Sequence, residues 1–117
     1  MLDWNQYGKQ LGAAVGTLAQ AAPEAVRGFS ELDRASNMTK HLDAKTRELI
    51  AIAVAVTTRC DGCINAHVGA ALKSGASREE IGEALGVAIA LNAGAALVYS
   101  ARAMDAVGAK SERAAAE

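Results

Sequence analysis

Both cysteines and one of the two histidines of this 117-residue chain lie in the segment RCDGCINAH, residues 59–67. His67 follows Cys63 by four residues, so a helix would place the two on one face, one turn apart. In the first turn of a helix, backbone amides and the helix dipole lower the pKa of a thiol such as Cys63. A neutral His67 could take the Cys63 proton and then stabilise the thiolate. We predict that Cys63 is a nucleophile and that Cys60 resolves its oxidised form.

Three kinds of site are compatible with this segment. The first is a redox-active dithiol, which the histidine at a one-turn offset favours. The second is a zinc or iron site, but two thiols and one imidazole give three ligands, whereas structural zinc takes four. Glu48 or His41 would have to supply the fourth, and neither is close in sequence. The third is a non-catalytic thiol pair beside a core histidine. We predict no metal, and we predict that His41 is a loop residue.

The elements that hold this segment are predicted to be helices. Alanine supplies 28 of the 117 residues and Pro23 is the single proline; alanine has the highest helix propensity, and without proline helices run uninterrupted. The composition therefore predicts an all-α protein. Apolar spacing predicts a first helix with Trp4 and Tyr7 in a core or an interface, and Pro23 suits the first turn of a second helix.

Helix signals around the cysteines predict four more helices. Asp43 is a good N-cap for a third helix to about Arg59, apolar on all faces and so buried on all sides. A turn at residues 61–62 precedes a fourth helix that ends at Gly75. Ser77 and Glu80 form a capping box for a fifth helix. A bend at residues 92–94 leads to a sixth.

Composition and charge exclude several classes of partner. The net charge is −1 with no basic run, so we predict no nucleic-acid binding. The longest apolar run, residues 49–56, is far short of the ~20 residues of a membrane span, and the N-terminus resembles no secretory signal. We expect a single cytoplasmic domain over residues 1–117, not bound to membranes. No nicotinamide or flavin motif occurs, so we expect no cofactor besides a redox-active disulfide.

The spacing of four residues resembles a known family motif. Glu48 lies twelve residues before Cys60, the cysteines form CDGC, and His67 ends INAH. This arrangement, with the downstream ALKSGASREEIGEAL, is similar to the AhpD-like alkylhydroperoxidases of the carboxymuconolactone decarboxylase family. The resemblance is densest over residues 42–90.

The resemblance implies an all-α, AhpD-like bundle of about six helices and a thiol peroxidase site. In such enzymes a Glu–His relay, here Glu48 and His67, deprotonates the second cysteine, which attacks a hydroperoxide. The first cysteine then condenses with the resulting sulfenic acid, and an external dithiol, a lipoyl group or a thioredoxin-like protein reduces the disulfide. The small members of the family associate, which implies a homo-oligomer, a trimer or a hexamer.

Two departures and two alternative functions accompany this hypothesis. Characterised peroxidases of this kind carry a histidine just before the second cysteine, where this chain has Gly62, and longer members have two related helical halves. In a plain hairpin, Glu48 and His67 would lie roughly 20 Å and 8 Å from the turn, so contact requires crossed helices or a water. The alternatives are a decarboxylase-like lyase, which would not need the cysteine pair, and a non-enzymatic redox-sensing or metal-binding oligomer.

Overall fold

A computed structural model describes residues 1–38 and 40–116, and this part of the chain is built from five α-helices without any β-strand. The helices are α1 (Trp4–Ala21), α2 (Pro23–Asn37), α3 (Ala44–Thr57), α4 (Asp61–Lys73) and α5 (Arg78–Ala116). The predicted all-α class is confirmed. α3 packs against both α4 and α5, and α1 packs against α2 and α4.

The predicted helix signals act where they were expected. Asp43 accepts a hydrogen bond at 2.7 Å from a backbone amide in the first turn of α3. Ser77 and Glu80 each accept a hydrogen bond from the other's backbone amide, at 3.0 Å and 2.8 Å. Pro23 occupies the first turn of α2, where its missing N–H needs no partner. Gly75 follows α4 with φ +85°, a backbone conformation that glycine adopts without steric cost.

The predicted sixth helix does not exist, because α5 continues through residues 92–94 for 39 residues. Asn92 remains helical and turns its side-chain amide inward, donating to the Ala88 carbonyl at 2.7 Å and to the Thr57 hydroxyl at 3.0 Å. One glycine in a helix costs roughly 1 kcal/mol against alanine, too little to break an alanine-rich helix. At 1.5 Å per residue α5 is about 58 Å long, and the molecule's longest dimension is 61 Å.

The turn between α3 and α4 lies earlier than predicted. It comprises residues 58–60, with Arg59 at φ +55°, and α4 already begins at Asp61. Cys60 is the N-cap of α4, and its Sγ accepts a hydrogen bond from the Cys63 amide at 3.2 Å. Cys63 therefore lies in the first turn of α4, as predicted, although Gly62 is a helical residue and not part of the turn.

The buried core is small. Its main cluster is Ile52, Ala71 and Ala76, with partly buried neighbours from α3, α4 and α5 packed around them. Ala55 and Ala88 are also buried. The prediction that α3 is buried on all sides is wrong for a single chain, because Ile50 and Val54 are 49% and 55% exposed. One face of α3 is therefore exposed in the single chain.

The chain exposes far more surface than a compact monomer of its size. Its accessible surface is 9059 Å², whereas a folded monomer of 12.0 kDa exposes about 6,000 Å². Its radius of gyration is 20.3 Å, against about 13 Å for a compact domain of this length. Apolar side chains in the second half of α5 are among the exposed residues: Leu97 and Met104 are 73% and 67% exposed.

By length and composition alone, α5 could cross a membrane: an 18-residue window has a mean hydropathy of 1.7, and 6% of that window is buried. A helix that is covered by protein in a soluble assembly passes the same test. This property therefore does not distinguish a membrane from a protein as the surroundings of α5.

An ion pair joins the starts of α3 and α5. Lys45 Nζ lies 2.8 Å from a carboxylate oxygen of Glu80. The hydrogen bond from Lys45, and then that from the Ser77 amide, lowers the pKa of Glu80 below its ordinary 4.5. The same hydrogen bond raises the pKa of Lys45 above its ordinary 10.5. The ion pair thus stabilises the folded protein fully between pH 4.5 and pH 10.5, the ordinary pKa values of the two groups. This stabilisation is lost as pH falls through the folded pKa of Glu80, and also as pH rises through the folded pKa of Lys45.

We expect Lys45→Met to lower the melting temperature slightly at pH 7, because both partners are more than a third exposed and solvent screens the pair. The difference from the unmodified protein should shrink as pH falls below 4.5, where Glu80 becomes protonated. Thermal unfolding between pH 7 and pH 3 measures it, with the exposed Lys110→Met as control. A difference that grows toward acid pH would contradict this assignment.

Candidate redox site

The structure brings together the four residues that the sequence singled out. Cys60 and Cys63 are joined in a disulfide, with their Cα atoms 5.2 Å apart. Glu48 Oε2 lies 2.7 Å from Nδ1 of His67. Both cysteines and His67 line one cavity of about 570 Å³.

Glu48 and His67 touch directly although they lie on different helices. A separation of 2.7 Å leaves no room for a bridging water. The packing of α3 on α4 therefore closes the gap that a plain hairpin would leave. The Glu48 side chain is only 13% exposed and that of His67 33% exposed, so solvent screens this contact less than a surface pair.

The contact with Glu48 decides which nitrogen of His67 can act as a base. An ionised carboxylate only accepts hydrogen bonds, so Nδ1 carries the proton that points at Glu48. In the neutral ring Nε2 is then the acceptor. His67 lines both the cysteine cavity and a smaller cavity of about 270 Å³ that Glu48 also lines. It therefore connects the carboxylate to the cavity of the cysteines.

The walls of the cysteine cavity come from helices that the motif does not include. α1 contributes Tyr7 and Leu11, and α2 contributes Phe29 and Asp33. Apart from the Asp33 carboxylate and the Tyr7 hydroxyl, these side chains are apolar. The cavity could therefore receive a small organic molecule and hold it over the cysteines.

Gly62 permits the close approach of α1 to the cysteines. A Cβ at this position would lie 2.7 Å from Leu11 Cδ2, closer than van der Waals contact allows. Leu11 thus occupies space that a side chain at position 62 would need. Characterised peroxidases of this kind have a histidine at this position. In this chain the position is glycine, and α1 packs into the space next to it.

Sequence reasoning did not identify Tyr7, Phe29 or Asp33 as site residues. Tyr7 was predicted to lie in a core or an interface, and the structure places it, half-buried, at the cysteine cavity. Helical spacing gives the face on which such residues lie but not what that face meets. His41 is exposed in the connection before α3 and is not part of a helix, as predicted. Within residues 1–38 and 40–116, no three His, Cys, Asp or Glu side chains are grouped as a metal site requires.

The sequence of this chain is similar to the sequences of a known protein family. The carboxymuconolactone decarboxylase family profile matches residues 21–106. An uncharacterized protein from Haemophilus influenzae is 49% identical over 104 residues, which cover 89% of this chain and 92% of the relative.

Two solved structures share the fold. A carboxymuconolactone decarboxylase family protein from Legionella pneumophila superposes with a TM-score of 0.72 at 38% identity, covering 84% of this chain and 88% of that one. A protein from Methanobacterium thermoautotrophicum gives a TM-score of 0.67 at 30% identity, covering 72% of this chain and 94% of that one.

Proposed function

This chain belongs to the carboxymuconolactone decarboxylase family, and within that family we propose that it is a thiol-dependent hydroperoxide reductase of the AhpD-like type. The observation that carries the proposal is the Cys60–Cys63 pair at the N-terminus of α4, in one cavity with a histidine held by Glu48. A lactone decarboxylase needs acid–base groups but no cysteine pair. The pair therefore favours redox chemistry.

The first half of the reaction uses Cys63 as the peroxidatic residue. In the reduced protein, Nε2 of His67 takes the proton of the Cys63 thiol, and Glu48 stabilises the resulting imidazolium through Nδ1. The thiolate attacks the terminal oxygen of a hydroperoxide, so that an S–O bond forms as the O–O bond breaks. The sulfur loses two electrons to the peroxide. The leaving alkoxide takes the proton from His67 and departs as an alcohol.

The second half uses Cys60 as the resolving residue. Its sulfur attacks the Cys63 sulfenic acid, an S–S bond forms, and the S–O bond breaks with release of water. The geometry supports this step because Cys60 caps the helix that carries Cys63. An external dithiol, a lipoyl group or a thioredoxin-like protein then reduces the disulfide by exchange and is itself oxidised.

We expect the purified protein to consume cumene hydroperoxide when a dithiol such as dithiothreitol is supplied, and to do so through the relay. His67→Ala and Glu48→Gln should lower the rate by about 10²-fold, the usual size of a general-base contribution. The matched controls are His41→Ala and Glu83→Gln, which alter exposed residues outside the site. Loss of peroxide and loss of dithiol are measured together.

A protein that cycles between dithiol and disulfide but consumes no hydroperoxide would contradict the proposal and favour a redox sensor. A protein that processes a muconolactone without cysteine involvement would favour the lyase. Equal rates for His67→Ala and His41→Ala would remove the relay from the mechanism.

We further propose that the chain acts as a cytoplasmic homo-oligomer, a trimer or a hexamer. The surface beyond that of a compact monomer is about 3,000 Å², and obligate interfaces bury 2,000–5,000 Å² or more. An exposed apolar groove lies between α3 and α5 and is lined by residues such as Ile50, Val54 and Leu91. A second copy can supply an equally apolar face from its own α5.

A further inference from the structure

α1 crosses α4 closely at two glycines. A Cβ on Gly8 would lie 2.7 Å from Nδ2 of Asn65, and a Cβ on Gly62 would lie 2.7 Å from Leu11 Cδ2. Neither position could hold a side chain without a shift of its neighbour. The crossing brings the start of α1 over the segment that holds the two cysteines.

This crossing places the hydroxyl group of Tyr7 near the first turn of α4, which carries Cys63. The hydroxyl oxygen lies 3.9 Å from the point where a Cβ of Gly62 would be, and Gly62 stands directly before Cys63. The Tyr7 ring packs edge-on against Trp4, with the centroids 6.1 Å apart and the planes at 85°. The contact with Trp4 restrains the ring, and Tyr7 lines the cavity that Cys60 and Cys63 also line.

The Tyr7 hydroxyl has no hydrogen-bond partner among the described residues, although the side chain is half-buried. Its proton is available to a molecule in the cavity. The other polar side chains of the cavity have different roles. The carboxylates of Asp33 and Asp61 accept hydrogen bonds, and His67 holds the proton that it takes from Cys63. Tyr7 is thus a neutral donor in the cavity that the two cysteines line.

Attack of a thiolate on a hydroperoxide places negative charge on the leaving oxygen as the O–O bond breaks. A hydrogen-bond donor that is already fixed near that oxygen stabilises the developing charge and lowers the barrier. We propose that the Tyr7 hydroxyl donates a hydrogen bond to the leaving oxygen of the hydroperoxide bound over Cys63. This assignment rests on the proposed function. His67 still delivers the proton, so that the alcohol leaves and the Tyr7 phenol is unchanged.

The test is Tyr7→Phe, which removes one oxygen and keeps the ring, with Tyr99→Phe as matched control. Tyr99 is the other tyrosine of the chain, 67% exposed on α5. In a single turnover of the reduced protein with cumene hydroperoxide, followed by loss of free thiols, we expect Tyr7→Phe to be about 10- to 100-fold slower. Tyr99→Phe should match the unmodified protein.

A second measurement separates an effect on the leaving oxygen from an effect on the sulfur. In a Cys60→Ser background, alkylation of Cys63 by iodoacetamide requires the thiolate but no donor to a leaving alkoxide. Tyr7→Phe should leave the pH profile of this alkylation unchanged. A shifted profile would place Tyr7 at the thiolate and overturn the assignment, as would an unchanged turnover rate. If the unmodified protein itself fails to react with hydroperoxide, the proposed function fails and the assignment fails with it.

Discussion

Cys63→Ser is expected to abolish hydroperoxide reduction, lowering the rate by at least about 10³-fold, because the variant has no nucleophilic sulfur at the site. Cys60→Ser should behave differently. It should react once with hydroperoxide at nearly the rate of the unmodified protein and then stop, with Cys63 left as a sulfenic acid. Trapping of that acid by dimedone, read by mass spectrometry, distinguishes the two variants.

The asymmetry follows from position. Cys63 lies in the first turn of α4, one turn from His67, whereas Cys60 precedes the helix as its cap. A dimedone adduct on Cys60 in the Cys63→Ser variant, with no adduct on Cys63 in the Cys60→Ser variant, would reverse the roles. Stoichiometric zinc held by both sulfurs of the reduced protein would replace the redox hypothesis with a metal site.

The purified protein is expected to have a mass near 36 or 72 kDa by light scattering, three or six times the 12.0 kDa of one chain. Replacing both Leu97 and Met104 by glutamate should break the assembly, because these exposed apolar side chains lie seven residues apart on one face of α5. Since the core of one chain is small, we expect the released subunits to lose much of their thermal stability.

Lys110→Glu is the matched control, because it changes the net charge by the same two units on a different face of the same helix. It should leave the mass unchanged. A stable, fully folded 12 kDa monomer of the unmodified protein would overturn the proposed assembly.

Loss of assembly should also affect the redox site. Ile50 lines both the apolar α3–α5 groove and the cavity that contains Glu48 and His67. A second copy that covers the groove would therefore lie next to the relay and reduce its exposure to water. We expect the Leu97→Glu, Met104→Glu variant to reduce hydroperoxide more slowly than Lys110→Glu.

Much of the local structure could be predicted because its causes are local. Asp43, the Ser77–Glu80 capping box and Gly75 begin and end helices through contacts within a few residues, and all act as predicted. The break at residues 92–94 was predicted wrongly because glycine weakens a helix without breaking it. The site of the α3–α4 turn was missed by a few residues because Arg59, and not glycine, adopts the positive φ.

The sequence by itself determined the all-α class and indicated that Cys60, Cys63 and His67 lie near one another, because Cys60 precedes the helix on which Cys63 and His67 lie one turn apart. It suggested Glu48 only through the family motif. The tertiary structure decided the rest: packing of α3 on α4 brings Glu48 into contact with His67, and the crossing of α1 at Gly62 brings Tyr7 to the cavity that the cysteines line. Such contacts join residues up to 55 positions apart, and they depend on how helix faces meet, which helical periodicity does not specify.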